Sequence, residues 1–355
     1  MSRAGEWFLR SGIQQPNGGV ARYYHTDLER NHAVSTEITG YAASTFVYLH
    51  TTTKDARYLD RAVAAARFLT RTAWDSASQT MPFEIDPPAP TYFFDCGIVV
   101  RGLLSAWRAT GAGEFLDTAA ALGESMARDF VSAAGDIHPI LTLPGKCPAE
   151  PDSTSWSRSA GCYQLKSAMA WFDLGEATGR ADFRAAYDQA LQRALRQCGE
   201  FLPGHPDPLK VMDRLHAFGY FLEGLLPRAT DPACARVLAD GIERAAGLLR
   251  QIAPRFERSD VYAQLLRVRL HAGYAGAVPI DRPAAEWEAA RLAGFQAASQ
   301  DRRIDGGFYF GRRQGEWLPY INPVSTAFAQ QALALWEGSA GGAVGGPRPY
   351  RRLLI

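Results

Sequence analysis

The sequence predicts an all-α fold of six helical hairpins closed into a ring, with a small β-hairpin lid. Three observations predict it. Apolar residues recur at helical spacing along almost the whole chain, with no comparable set of alternating strands. A short turn motif occurs three times, and the loops alternate between short and long.

The periodic segments are Glu37–His50, Arg57–Thr72, Asp95–Ala109, Glu114–Val131, Gly161–Ala177 and Asp182–Cys198 in the first half. Asp213–Leu226, Asp231–Ile252, Asp260–Ala272, Pro283–Ser299 and Asn322–Glu337 follow. Several are rich in Ala, Leu and Arg, which are good helix formers. The turn motif lines up Thr53-Lys54-Asp55-Ala56-Arg57-Tyr58 with Thr110-Gly111-Ala112-Gly113-Glu114-Phe115 and Thr178-Gly179-Arg180-Ala181-Asp182-Phe183. Each copy stops one helix, with Gly in two of the three, and then offers an aromatic that can pack the hairpin.

First helices start near Glu37, Asp95, Gly161, Asp213, Asp260 and Asn322, and five have a partner after them. Ser2–Ser11 is expected to partner the sixth, because closure leaves no apolar end exposed. The long loops, Trp74–Phe94, Ser132–Ala160, Gly199–Met212 and Gln300–Ile321, fall on one side of the repeat and carry Pro, Gly and aromatics. A face of elaborate loops on a rigid scaffold is where a binding site is expected. The fifth pair breaks the rhythm, with a long loop at His271–Arg282 and a short one at Pro254–Ser259. One domain over residues 1–337 is expected, with 338–355 a flexible Gly-rich tail.

Composition narrows the function. Lys and Arg total 38 against 37 for Asp and Glu, so no net field draws the chain to nucleic acid or an anionic membrane. No stretch approaches the ~20 apolar residues of a membrane span. Five scattered cysteines without a CxxC pair suggest neither a disulfide framework nor a zinc knuckle, and a cytoplasmic setting is expected. No metal and no cofactor is expected; the sequence is silent on oligomeric state.

With these hairpins, the chain resembles the (α/α)6-toroid superfamily of carbohydrate-active enzymes, which includes many glycoside hydrolases. Phe94-Asp95-Cys96-Gly97 through Thr110-Gly111 is similar to the Asp-bearing helix and Thr-Gly turn of unsaturated-glycuronyl hydrolases. Asn17-Gly18-Gly19-Val20 and Asp305-Gly306-Gly307-Phe308 are similar to the (Asn/Asp)-Gly-Gly-aromatic turns of glucuronyl C5-epimerases and terpene cyclases, although the first lacks the aromatic. No Asp-x-Asp-Asp motif accompanies them, which argues against a cyclase. The resemblance implies an oligosaccharide or polysaccharide substrate, one containing acidic sugars.

Glycosidic cleavage needs two carboxyl groups, one to donate a proton and one to activate water or attack. Glu37 lies 16 residues before Thr53 and Asp95 lies 15 before Thr110, which sets both at nearly the same height beside the long loops. They are the expected catalytic pair, with Asp213 in reserve, although Asp and Glu at helix starts also serve as caps and dipole partners. Asp213 and Asp260 are expected to open the fourth and fifth inner helices. Tyr92, Trp156, Tyr309 and Trp317 are candidate sugar platforms, and Arg312 a candidate carboxylate clamp. Glu84, Tyr163, His216 and Asp305 complete the expected substrate-binding set. Asp305 also suits a plain turn role and Glu84 a solvated loop charge. The span from Gly307 to Tyr320, with Arg312-Arg313-Gln314-Gly315 at its tip, reads as a β-hairpin that either covers substrate or plugs the ring.

Two alternatives stand beside the hydrolase. A C5-epimerase or lyase would use Tyr163, Tyr220 or His216 for proton transfer next to a carboxylate. A carbohydrate-binding protein would keep the aromatics and turn over nothing. Cys162 is more readily a buried inert thiol than a nucleophile, and His25 and His32 lack a metal-ligand arrangement.

Overall fold

A computed structural model describes residues 2–85, 89–150, 152, 155–253, 255–340 and 354–355. These residues form two compact units. One comprises Gln14–Arg22 and His32–Ala194; the other comprises Met1–Ile13, Tyr23–Asn31 and Leu195–Ile355.

Twelve α-helices are present among the described residues. They are α1 (Arg3–Arg10), α2 (Thr36–Thr53), α3 (Ala56–Phe68), α4 (Phe93–Thr110), α5 (Gly113–Asp129) and α6 (Leu165–Thr178). The rest are α7 (Ala181–Gln197), α8 (Pro208–Leu225), α9 (Pro232–Ile252), α10 (Ser259–Tyr274), α11 (Arg282–Ala293) and α12 (Pro323–Ala340). Each expected periodic segment is a helix, and Ser2–Ser11 supplies α1.

The repeated threonine has a structural reason. Thr53, Thr110 and Thr178 each end a helix, and each hydroxyl donates to the carbonyl four residues back, of Leu49, Ala106 and Leu174. The same oxygens accept from the backbone N–H two residues on, of Asp55, Ala112 and Arg180. Gly111 and Gly179 then take the left-handed conformation that closes a helix, and Lys54 takes it at φ 63° in the first copy. Tyr58, Phe115 and Phe183 follow in each copy and are buried, which pins the returning helix.

In the first unit α4 packs against α2 on one side and α6 on the other, while α3 and α5 cover α2 and α4. Glycines set how near these helices come. A Cβ on Gly102 would lie 2.4 Å from the Gly40 carbonyl oxygen, and one on Gly40 3.0 Å from the Val99 Cα. A Cβ on Gly97 would strike Ser167 at 2.5 Å. Backbone therefore lies on backbone about one turn inside the N-terminal ends of α2 and α4, the ends that carry Glu37 and Asp95.

In the second unit α10 packs against α8, α11 and α12, and α1 packs against α12. The sixth hairpin is thus made from the two ends of the sequence. The Trp7 indole, buried beneath it, donates to the Arg303 carbonyl at 2.9 Å. The core of this unit holds a fully buried ion pair, Arg267 on α10 with Glu223 on α8.

Short antiparallel ribbons edge the loops. Thr91–Tyr92 pairs with Ile140–Thr142, and Tyr24–His25 lies between Arg30–Asn31 and Tyr320–Ile321. The expected hairpin is present, with Gly311–Arg313 against Glu316–Trp317 and positive φ at both Gln314 and Gly315. Its inner strand pairs in turn with Phe256–Arg258.

Several expected boundaries move: α6 starts at Leu165 rather than Gly161, and α11 stops at Ala293 rather than Ser299. Asp213 does not open α8, because Asp207 caps that helix and Pro208 starts it. At the other end α12 continues through Ala340, so 338–340 is helix rather than tail. Leu354 and Ile355 are buried, and the Ile355 N–H donates to Gln331 Oε1 at 3.3 Å. Residues 341–353 of the expected tail lie outside the described residues.

Candidate active site

Glu37 is the second residue of α2 and Asp95 the third of α4. Neither caps its helix. Ser35 caps α2 by accepting from the Ile38 N–H, and α4 begins after Tyr92 with no side-chain cap. The two acidic groups are therefore released from the structural duty that would most simply account for them.

Their electrostatics are unusual. Asp95 is 7% exposed, and its Oδ2 has no hydrogen-bond partner among the described residues. Burial, and next the charge of Glu37, push the Asp95 carboxyl well above the usual carboxylate range. Glu37 keeps part of its surface open, yet protein crowds its carboxyl closely enough to raise its pKa to about 7. Arg22 is the cation whose field opposes both shifts. It does so from a distance, because its ion pair is with Glu84, at 3.5 Å.

Arg22 escapes the sequence pattern, although it follows directly on the Asn17-Gly18-Gly19-Val20-Ala21 turn. Its guanidinium lies 4.7 Å from the Phe83 ring centre, and the Phe83 ring lies 5.6 Å from Tyr92. Tyr92 is half-buried, and burial together with Asp95 raises its hydroxyl pKa. The Phe83 loop is tied to α2: Thr36 donates its N–H to the Phe83 carbonyl and its hydroxyl to the Pro82 carbonyl at 2.9 Å. Trp156 and Tyr163 form an edge-on pair 5.0 Å apart, and Tyr163 faces Phe94 next to Asp95. Tyr163 is 1% exposed and its hydroxyl donates to the Ser159 carbonyl at 2.9 Å. That corrects its expected role: a buried, hydrogen-bonded phenol whose pKa burial drives up is a wall under Trp156, not a sugar contact or a proton acceptor.

The other unit holds a second charged cluster. His216 on α8 is buried, with Nδ1 2.8 Å from Gln264 Oε1 and 3.4 Å from Asp260 Oδ2. Burial lowers its pKa to about 4, so the imidazole is neutral at pH 7. Arg258 grips Asp260 with two N–H groups and Asp213 with a third, at 2.8 Å. Burial works against the Asp260 charge, but Arg258 and His216 outweigh it and hold that carboxyl below its usual range. Asp213, the reserve catalytic residue, is here a partner of Arg258. Arg258 and Gln264 were not legible as site residues, since nothing in a helical repeat marks which inward polar groups will meet.

On the hairpin, Trp317 is 42% exposed and stacks on Tyr309 with ring centres 4.9 Å apart and planes at 19°. Arg312 is corrected as a free clamp: it is ion-paired with buried Glu257, which also accepts from the Tyr262 hydroxyl. Asp305 takes the turn role its Asp-Gly-Gly setting suits. It pairs with Arg3 at 2.6 Å and accepts from the Ser299 N–H, a turn duty at the surface.

Among the described residues no cluster of three or more His, Cys, Asp or Glu side chains is placed to hold a metal ion. No helix among them is long and apolar enough to cross a membrane.

No protein-family description matches this sequence, and no curated protein matches it either. Solved structures do. A cellobiose 2-epimerase from Bacillus thermoamylovorans superposes with a TM-score of 0.72 at 13% identity, over 94% of this chain and 95% of the other. An unsaturated glucuronyl hydrolase from a Bacillus species gives 0.60 at 14% identity, covering 93% and 94%. An α-mannanase from Bacteroides thetaiotaomicron gives 0.60 at 10%, covering 95% and 96%. All three are carbohydrate-active enzymes of the (α/α)6-toroid class, and that class is the fold of this chain. Identity this low establishes the fold and leaves the chemistry to the residues.

Proposed function

We propose that this protein is a glycoside hydrolase that cleaves an oligosaccharide or polysaccharide with Glu37 and Asp95. One observation carries the reading: Asp95 is buried with Oδ2 unbonded among the described residues and lies within the field of Glu37, and burial pushes both carboxyls up, which favours a proton on the pair. A protonated acid beside a carboxylate is what glycosidic cleavage requires. Asp95, the more deeply buried, donates its proton to the leaving oxygen. Glu37, nearer solvent and titrating near neutrality, takes a proton from water or attacks the anomeric carbon. Tyr92, whose hydroxyl feels the charge of Asp95, and Trp156, against Tyr163, offer ring faces in the same unit as the pair. The five free thiols suit a reducing, cytoplasmic compartment.

A second reading is supported by His216. A neutral imidazole backed by Asp260 suits removal of a proton from carbon, the chemistry of an epimerase or isomerase, and a 2-epimerase is among the structural neighbours. Incubating an acidic-oligosaccharide panel in deuterated, oxygen-18 water, with mass spectrometry of the products, separates the readings. Heavy oxygen in shortened products supports the hydrolase. Shortened products without it indicate a lyase. Intact chains that gain carbon-bound deuterium indicate epimerisation, and saturable binding without product indicates a binding protein.

A further inference from the structure

The least explained feature of the carboxylate site is its cation. Arg22 lies within electrostatic reach of both Glu37 and Asp95, yet its guanidinium is directed to Glu84 and lies over the Phe83 ring. Were neutralisation of the pair the purpose, a direct bond to Asp95 Oδ2, which lacks a partner, would be the stronger arrangement.

The loop geometry supplies a reason. Pro82 and Phe83 are bonded through their carbonyls to Thr36, the residue immediately before Glu37. The Phe83 N–H is bonded back to the Pro90 carbonyl at 3.0 Å, and the Phe83 ring meets Tyr92, three residues before Asp95. Glu84 follows Phe83 directly, so its backbone is tied to both α2 and the segment before α4, and its carboxylate meets Arg22 at 3.5 Å. At the other end, Arg22 is anchored by its backbone N–H to the Ala33 carbonyl at 3.0 Å.

We propose that Glu84 is a positioning residue whose ion pair with Arg22 holds the guanidinium off Glu37 and Asp95, so that this cation neutralises the loop carboxylate and leaves the pair its proton. The inference rests on Glu37 and Asp95 being the working pair, but it concerns only their proton. Glu84 acts through Arg22 and touches no reacting atom. Among the described residues, the charged and titratable groups that act on the pair or are acted on by it are Arg22, Glu84 by way of Arg22, Tyr92 with Arg158 beside it, Cys96 and Tyr163. Arg158 is ion-paired with Asp152 at 3.3 Å and acts on Tyr92, whereas the field of Arg22 reaches Glu37 and Asp95 themselves.

The test is a titration of the side-chain carboxyls by carbon-13 NMR in the full-length protein, with Glu37 and Asp95 assigned from E37Q and D95N. Glu84→Gln frees Arg22 for the pair and should lower the Glu37 midpoint from about 7 by on the order of one pH unit. Arg22→Gln should raise it. The decisive arm is the double variant: if Glu84 works through Arg22, adding E84Q to R22Q moves the midpoint little. An equal downward shift in the presence and absence of Arg22 would show a direct field from Glu84 and overturn the proposal, as would no shift in E84Q. Folding of each variant is read from its amide spectrum. Because the titration needs no substrate, failure of the hydrolase reading leaves its result intact. If the hydrolase reading holds, the acidic limb of the pH–rate profile, set by ionisation of Glu37, moves in the same direction as the midpoint.

Discussion

The carboxylate pair of α2 and α4 and the histidine cluster of α8 and α10 are built from the same materials and solve opposite problems. In the cluster every charge is answered. Arg258 is shared by Asp260 and Asp213, and His216 is hydrogen-bonded to Gln264. In the pair the cation whose field reaches both carboxyls is ion-paired with Glu84, and Asp95 Oδ2 has no hydrogen-bond partner among the described residues. A fold gains nothing from burying two like charges beside each other, whereas it gains order from a satisfied ionic network. The unanswered site is therefore where chemistry is to be sought, and the answered one is where stability is to be sought.

The sharpest way to break this comparison is to remove the charges one region at a time. Glu37→Gln and Asp95→Asn should each lower turnover by roughly 10²–10⁴-fold, the usual loss on removing an acid or base. Neither should lower the melting temperature, since each removes a carboxyl whose charge burial opposes. Concurrent loss of activity and stability would place the pair among the structural groups. Arg258→Met should do the reverse. It strands two carboxylates, one of them buried, and should cost about 3–5 kcal/mol in urea denaturation. If R258M instead retains stability while abolishing activity, the histidine cluster is the working site.

The two regions should also answer pH in opposite senses. His216 has its pKa depressed from 6.5 to about 4 on folding, so its contribution is complete above pH 6.5 and is lost as pH falls toward 4. Glu37 has its pKa raised from 4.5 to about 7, so its contribution is complete below pH 4.5 and is lost as pH rises through 7. These windows overlap and partly cancel in the wild-type protein. In E37Q the opposing contribution is gone, and stability should climb more steeply from pH 4.5 to 7. An unchanged slope, measured by denaturation at several pH values, would show that Glu37 is not buried against its charge. The smallest effect is expected at the hairpin. Trp317→Ala should weaken saccharide binding by a few-fold to tenfold, about 0.5–1.5 kcal/mol, with almost no change in melting temperature because Trp317 is already 42% exposed.

Much of the architecture was legible in advance because it depends on local rules. Helical spacing located every inner helix. The Thr turns were legible because capping chemistry is local: a hydroxyl that bonds both the preceding carbonyl and a following N–H works the same way in all three hairpins. The equal height of Glu37 and Asp95 followed from counting back from those turns. The β-hairpin was legible from Gln314-Gly315 between two aromatic segments, which meets the positive-φ demand of a tight turn. Arg22, Gln264 and Arg258 were not, because an inward polar residue in a helical repeat looks alike whether its partner sits on the next helix or nowhere. The partners of Arg312 and Asp305 were hidden for the same reason. Both residues suit a ligand by type, and the fold had already assigned them Glu257 and Arg3.

By itself the sequence determined the helices, their pairing and the level at which two acidic residues would stand, since each of these depends on neighbours within a few residues along the chain. Only the tertiary structure decided which charges are paired and which are left facing one another. That outcome depends on how near the helices approach. Gly40, Gly97 and Gly102 remove the side chains that would hold α2, α4 and α6 apart. The electrostatic energy of two buried carboxylates depends on that distance and on what else lies within it.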